Sequence, residues 1–215
     1  MEVTITLDET TPSVQSLCRK DKRLAKVISM VGPISYVQHK DDYAFLVHEI
    51  IEQMLSIKAG KRIYDRLETR CGGRVTPKAI SGLTDEEIRA TGTSNAKVIY
   101  IRVLTNAVIS GELNFSELES MPDKDIINKL TSLRGIGNWT AKMYLIFVLG
   151  RPDVLPYEDG AFRQSYRWLY KTTDCRPSMI EKKCAKWKPY SSIAARYLYR
   201  VLDMGLTKEE FHLFK

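Results

Sequence analysis

Asp159 is an isolated acid at the end of a Pro-punctuated loop, LPYED, and upstream of it lies a tight Gly135-Ile136-Gly137 turn. The whole stretch, residues 130–159, reads LTSLRGIGNWTAKMYLIFVLGRPDVLPYED. A helical run ends at Leu133 and an apolar helix restarts at Asn138. Between them, glycines permit positive φ and let another molecule come close to the backbone. Unpaired N–H groups at the start of the second helix favour an anion. Arg134 and Lys142 add cationic charge beside the turn, and Asn138, Trp139 and Thr140 form the first helical turn. This is a device for gripping a phosphate backbone without reading sequence. The turn carbonyls of Thr131, Leu133 and Ile136 are candidates for a monovalent cation, Na+ or K+. Two plainer readings use the same residues: a helix–turn–helix joint with no ligand, and Asp159 as a helix N-cap.

The rest of the chain must position these groups. With 215 residues there is sequence for one domain or two intimately packed halves, and the hydrophobic content of 44% is that of a globular protein. A formal charge of +7 fits a polyanionic partner without requiring one. Cys18, Cys71, Cys175 and Cys184 contain no C-x-x-C pair, which argues against zinc. The polar start, MEVTITLDET, is unlike a signal peptide, so reduced thiols and a cytoplasmic location are expected. Met143 to Leu149 is the longest apolar run, too short to cross a bilayer.

Helix starts and stops punctuate the chain. VTITL alternates and suits a short extended segment. Thr11-Pro12 opens a helix that Gly32-Pro33 ends. Asp41-Asp42 caps AFLVHEIIEQMLSI, apolar on most faces and so buried. Gly60 interrupts, and KRIYDRLETRC continues to Gly72-Gly73. Thr84 and Glu87 have capping-box spacing. A further amphipathic helix runs from Ser94 to Ser110, and Pro122 opens the one that enters the hairpin. Beyond Asp159, AFRQSYRWLY, PSMIEKKCAKW and SSIAARYLYRVLDM read as helices. With no convincing strand, the prediction is all-α, with about ten helices.

LRGIGNWTAK followed by LPYED resembles the helix–hairpin–helix, Gly/Pro-rich-loop and aspartate signature of the base-excision DNA glycosylases (the HhH-GPD superfamily). Within that superfamily the chain is most similar to the 3-methyladenine (alkylpurine) DNA glycosylase II group. Three segments carry the resemblance in order: EIIEQMLSIKAGKRI, the hairpin-to-aspartate stretch, and WKPYSSIAARYLY. The resemblance as a whole covers roughly residues 41–205.

The resemblance implies roles. Asp159 would be the catalytic carboxylate, facing the sugar of an extruded nucleotide. Breaking a glycosidic bond builds positive charge there, and a carboxylate stabilises it. Trp139 stands where bifunctional relatives carry a lysine nucleophile, so the resemblance implies a monofunctional hydrolase that leaves an abasic site. Trp139 and Tyr199 would be pocket aromatics for a cationic alkylated purine. Tyr199 stands where alkylpurine enzymes can carry Trp. Gln53 would reach the pocket and Met54 would be the wedge that fills the gap in the duplex. Glu158 reads as a supporting acid, Arg163 as a phosphate or support residue, and Trp187 as a core anchor. His39, His48 and His212 make no visible grouping. The four clustered cysteines of iron–sulfur relatives are missing, so no such cluster and no required cofactor are expected.

The implied architecture is two helical halves with the active-site cleft between them. Residues 1–52 and 160–215 would form one half and 53–159 the other, with the helix–hairpin–helix at 123–150. The N-terminal mixed α/β domain of some relatives is expected to be absent. The expected partner is double-stranded DNA containing damaged bases, bound by a monomer that associates with the nucleoid in a prokaryote. Lesions would be 3-methyladenine or 7-methylguanine. Two alternatives remain: a glycosylase for oxidised or mismatched bases on the same fold, and a non-catalytic DNA-binding module.

Overall fold

The computed structural model describes residues 4–214. Its contacts divide the chain into two units, one built from the residues up to Gln38 together with those from Gly150 onward, the other from His39–Leu149.

In the first unit, TITL of the alternating segment forms strand β1 (Thr4–Leu7), its Val3 lying outside the described residues. Helix α1 (Pro12–Lys20) starts at the Thr11-Pro12 signal, and α2 (Lys22–Val31) starts at Asp21. Gly32 ends α2 at a φ of 72°, which favours glycine. The chain then forms β2 (Ile34–Val37), antiparallel to β1 with Ile5 opposite Tyr36 and Leu7 opposite Ile34. This ribbon corrects the expectation of no convincing strand. ISYV is four residues long and shows its partner only once the intervening helices bring it back.

The second unit is helical throughout. Asp41 caps α3 (Asp42–Glu52) by accepting the Ala44 N–H, and seven residues of α3 are buried. It is followed by α4 (Ile57–Arg70), α5 (Pro77–Ser81) and α6 (Asp85–Ala90), the last with the complete Thr84–Glu87 capping box. Then come α7 (Asn95–Ile109), α8 (Phe115–Leu118), α9 (Asp123–Thr131) and α10 (Asn138–Phe147). The helix expected to run on to Ile57 instead stops at Glu52. Gly60, expected as a break, lies inside α4. A Cβ there would stand 2.6 Å from Glu52 Cγ, so glycine lets α4 lie against the end of α3. Because α3 packs on α4, α7 and α10, the contact division falls at 38/39, ahead of the expected 52/53.

The chain returns to the first unit for α11 (Gly160–Tyr170), α12 (Pro177–Cys184) and α13 (Ser191–Asp203). Here α13 packs on α11 and α2 around a core that includes Phe162, Leu169, Leu198 and the fully buried Trp187. Trp187 is the core anchor expected of it. Its indole N–H donates to Asp21 Oδ2 at 3.0 Å, where the Tyr170 hydroxyl also donates and Lys186 Nζ pairs at 3.0 Å. Burial works to raise the Asp21 pKa, but these donors outweigh it and hold the carboxyl below its ordinary value. Among the described residues no helix is long and apolar enough to cross a membrane.

Candidate functional site

The hairpin sits between α9 and α10 and is held from inside by two buried apolar residues, Leu133 and Ile136. Arg134, Gly137 and Asn138 are exposed at its tip. The two glycines do different jobs. Gly135 has φ of 101°, and a Cβ on it would lie 2.2 Å from the Tyr100 ring, so both conformation and packing exclude a side chain. Gly137 has φ of −100°, which any residue adopts, and a Cβ on it would meet nothing within 4 Å. The fold therefore leaves Gly137 facing open space at the start of α10, where helix N–H donors point outward.

Gln53 is the brace of this hairpin. Its Nε2 donates to the Gly135 carbonyl at 2.8 Å and reaches Thr140 Oγ1 at 3.4 Å. Thr140 is buried, so its side chain belongs to this internal network. Lys142, expected as a phosphate cation, is also buried at 8% exposure, turned in with the apolar side chains of α10. Trp139 is half-buried.

Directly after Gln53 the chain turns sharply. Met54 adopts φ of 60°, rare for a residue with a side chain, and is fully exposed. Leu55 and Ile57, the first residue of α4, are exposed beside it, so three apolar residues lie exposed at this turn and the helix start that follows it. Lys97 fastens the loop's base, donating from Nζ to the carbonyls of Ile51 at 2.8 Å and Gln53 at 2.6 Å. Lys97 and Tyr100, neither singled out in the sequence, lie one turn apart on α7, one serving the Met54 loop and the other the hairpin. Only their helical spacing hinted at a shared face.

Asp159 belongs to the other unit. It caps α11, its Oδ1 accepting the Phe162 N–H at 2.7 Å, and it is half-exposed. The loop that delivers it is tied to the start of α13. Ser191 Oγ donates to Asp153 Oδ1 at 2.5 Å, the Val154 N–H donates to Ser192 Oγ at 2.9 Å, and the Ser192 N–H donates to the Pro152 carbonyl at 3.0 Å. These ties place the loop with the first unit and move the second contact boundary to 149/150 from the expected 159/160. A cavity of about 580 Å³ is lined by Tyr157, Glu158, Arg163, Asp174 and Arg176, among others. Arg163 Nε is buried there without a hydrogen-bond partner among the protein's own groups.

Among the described residues one cluster could ligate a metal: His48, Glu49 and Glu52 on α3, with ligand atoms within 4.8 Å of one another. Nothing in the sequence pattern singles out a partner for His48. Its Nδ1 lies 3.6 Å from Glu49 and its Nε2 3.5 Å from Glu52. Two ring nitrogens facing two carboxylates suit a bridging imidazolium. Burial works against that charge, but the neighbouring Glu49 and Glu52 carboxylates outweigh it and raise the His48 pKa.

A glycine hairpin braced on a helical unit, and an acid-bearing loop on the chain's return limb, define a protein of the helix–hairpin–helix class. Residues 47–189 match the family described as HhH-GPD superfamily base excision DNA repair protein, and the chain belongs to it. It is 31% identical to DNA-3-methyladenine glycosylase 1 of Schizosaccharomyces pombe over 95% of this chain and 91% of that one. A crystal structure of a DNA-3-methyladenine glycosidase from Bacillus halodurans superposes with a TM-score of 0.86 at 34% identity, covering 97% of each chain. A Schizosaccharomyces pombe 3-methyladenine DNA glycosylase in complex with abasic DNA superposes with a TM-score of 0.83 at 29% identity, covering 90% of this chain and 97% of that one.

Proposed function

We propose that the protein is a monofunctional DNA glycosylase of base excision repair that hydrolyses the N-glycosidic bond of alkylated purines in double-stranded DNA, 3-methyladenine and 7-methylguanine being the expected lesions. The observation that carries this reading is whole-length likeness to 3-methyladenine glycosylases in both sequence and fold. The site fits it. Gly137 offers an unobstructed backbone and the first N–H groups of α10 to a phosphate, with Arg134 exposed beside them. The carbonyls of Thr131, Leu133 and Ile136 would hold Na+ or K+ there. Met54, fully exposed, would be the wedge that fills the space of a displaced nucleotide.

In this reading Trp139 and Tyr199 contact the extruded base. Asp159 stabilises positive charge developing on the deoxyribose as the base departs, and a water oxygen completes the bond to C1′. Its cap to the Phe162 N–H holds the carboxylate in one orientation, so capping and catalysis use the same residue. Trp139 cannot form a Schiff base with the sugar, which supports base removal without strand cleavage. The protein would act with the DNA, at the nucleoid of a prokaryote.

Release of free 3-methyladenine and 7-methylguanine from methylated DNA tests the reading. The expected product is an intact strand bearing an abasic site. Borohydride should trap no covalent adduct, and a good yield of adduct would overturn the monofunctional assignment.

A further inference from the structure

Within the first unit, α13 carries Arg196 and Tyr199 one turn apart, and the Arg196 guanidinium carbon lies 3.7 Å from the centre of the Tyr36 ring on β2. That is a stacked cation–π contact. All three side chains are half-buried. Burial lowers the Arg196 pKa while the neighbouring Tyr36 and Tyr199 work to raise it, but a guanidinium stays charged at any physiological pH. A permanent, partly desolvated positive charge therefore shares a patch with Tyr199 and already occupies one face of Tyr36.

We propose that Arg196 is a specificity-determining residue that sets the charge class of damaged purine excised, opposing cationic bases and assisting neutral ones. The proposal rests on the reading that Tyr199 contacts the extruded base. In either class the C1′–N bond breaks, its electron pair goes to the purine, and water supplies hydroxyl to C1′. A purine methylated at N3 or N7 enters cationic and leaves neutral, the proton from water passing to solvent. It needs little help, and a nearby guanidinium repels it. A neutral lesion such as hypoxanthine or 1,N6-ethenoadenine leaves with negative charge developing on the ring, then takes the proton from water. A fixed guanidinium stabilises that charge. At roughly 10 Å and an effective dielectric near 20, a unit charge is worth on the order of ten-fold.

The test compares kcat/KM for a 7-methylguanine duplex and a hypoxanthine duplex in wild type, Arg196→Met, Arg196→Gln and Arg196→Lys. The ratio of the two is taken within one preparation, so partial loss of folded protein cancels. Both neutral variants should lower the hypoxanthine-to-7-methylguanine ratio by about ten-fold or more, and the lysine variant should restore most of it. If both substrates fall together and the ratio stays constant, Arg196 is structural and the proposal fails. If Tyr199→Ala leaves both rates unchanged, the base-contact premise fails instead. A wild type that releases neither base overturns the glycosylase reading beneath it.

Discussion

Gln53 donates its side-chain amide to the backbone carbonyl of Gly135 at 2.8 Å, bridging the end of α3 and the hairpin before α10. The same residue begins the turn that projects Met54, and its own carbonyl is held by Lys97. One residue thus couples the hairpin turn to the exposed apolar loop. Replacing it by alanine removes a part-buried donor from a carbonyl, at a cost of about 1 kcal/mol in stability. Binding to duplex DNA should weaken by more than that stability loss explains, because the hairpin loses its register with the loop. Chemical denaturation and DNA titration on Gln53→Ala check the two effects separately.

The hairpin glycines should separate folding from binding. Gly135→Ala places a methyl against the Tyr100 ring at a φ of 101°, so overpacking and backbone strain combine, with an expected loss on the order of 2–4 kcal/mol. Gly137→Ala meets no atom and no forbidden φ, so its stability should stay within about 0.5 kcal/mol of wild type. Its DNA affinity should still fall if the proposed grip operates, because the methyl would stand in the open space offered to the phosphate. An unimpaired affinity for Gly137→Ala would remove the hairpin from the interface.

His48 should make stability pH-dependent near neutrality. Its folded pKa is raised above the ordinary 6.5, so the imidazolium bridge contributes fully below that value and is lost as pH rises through the folded pKa. Glu52, whose pKa burial raises, shifts in the same sense in the acid range, and Asp65 adds negative charge from α4. The melting-temperature advantage of wild type over His48→Gln should shrink between pH 6 and pH 8. A constant difference across that range would mean that the bridge carries no charge.

The fold and the hairpin-to-aspartate stretch were largely legible because their turns and helix starts are written locally. Gly135 and Gly137 mark a turn, the Pro-rich segment marks a loop, and capping signals such as Thr84 to Glu87 fix helix starts. What escaped was side-chain contact over long sequence separations. Nothing near Gln53 announces a bond to Gly135, and nothing near Tyr100 shows that it lies on that glycine. Lys142 reads as a surface cation until α10 proves to be buried on almost every face, Thr140 with it. The Met54 turn was hidden because EIIEQMLSI has the periodicity of a continuous helix. Arg196 on Tyr36 joins a strand and a helix from opposite ends of the chain, a pairing that no local pattern encodes.

The central claim is that Asp159 performs the chemistry while the hairpin only holds the DNA. Single-turnover release of 7-methylguanine from a duplex, measured with wild type and Asp159→Asn alongside DNA binding, tests it most directly. Asparagine can still accept the Phe162 N–H, so the cap and the fold should survive. The account predicts a fall in release of about 10³-fold or more with DNA affinity unchanged. Release within ten-fold of wild type would contradict it.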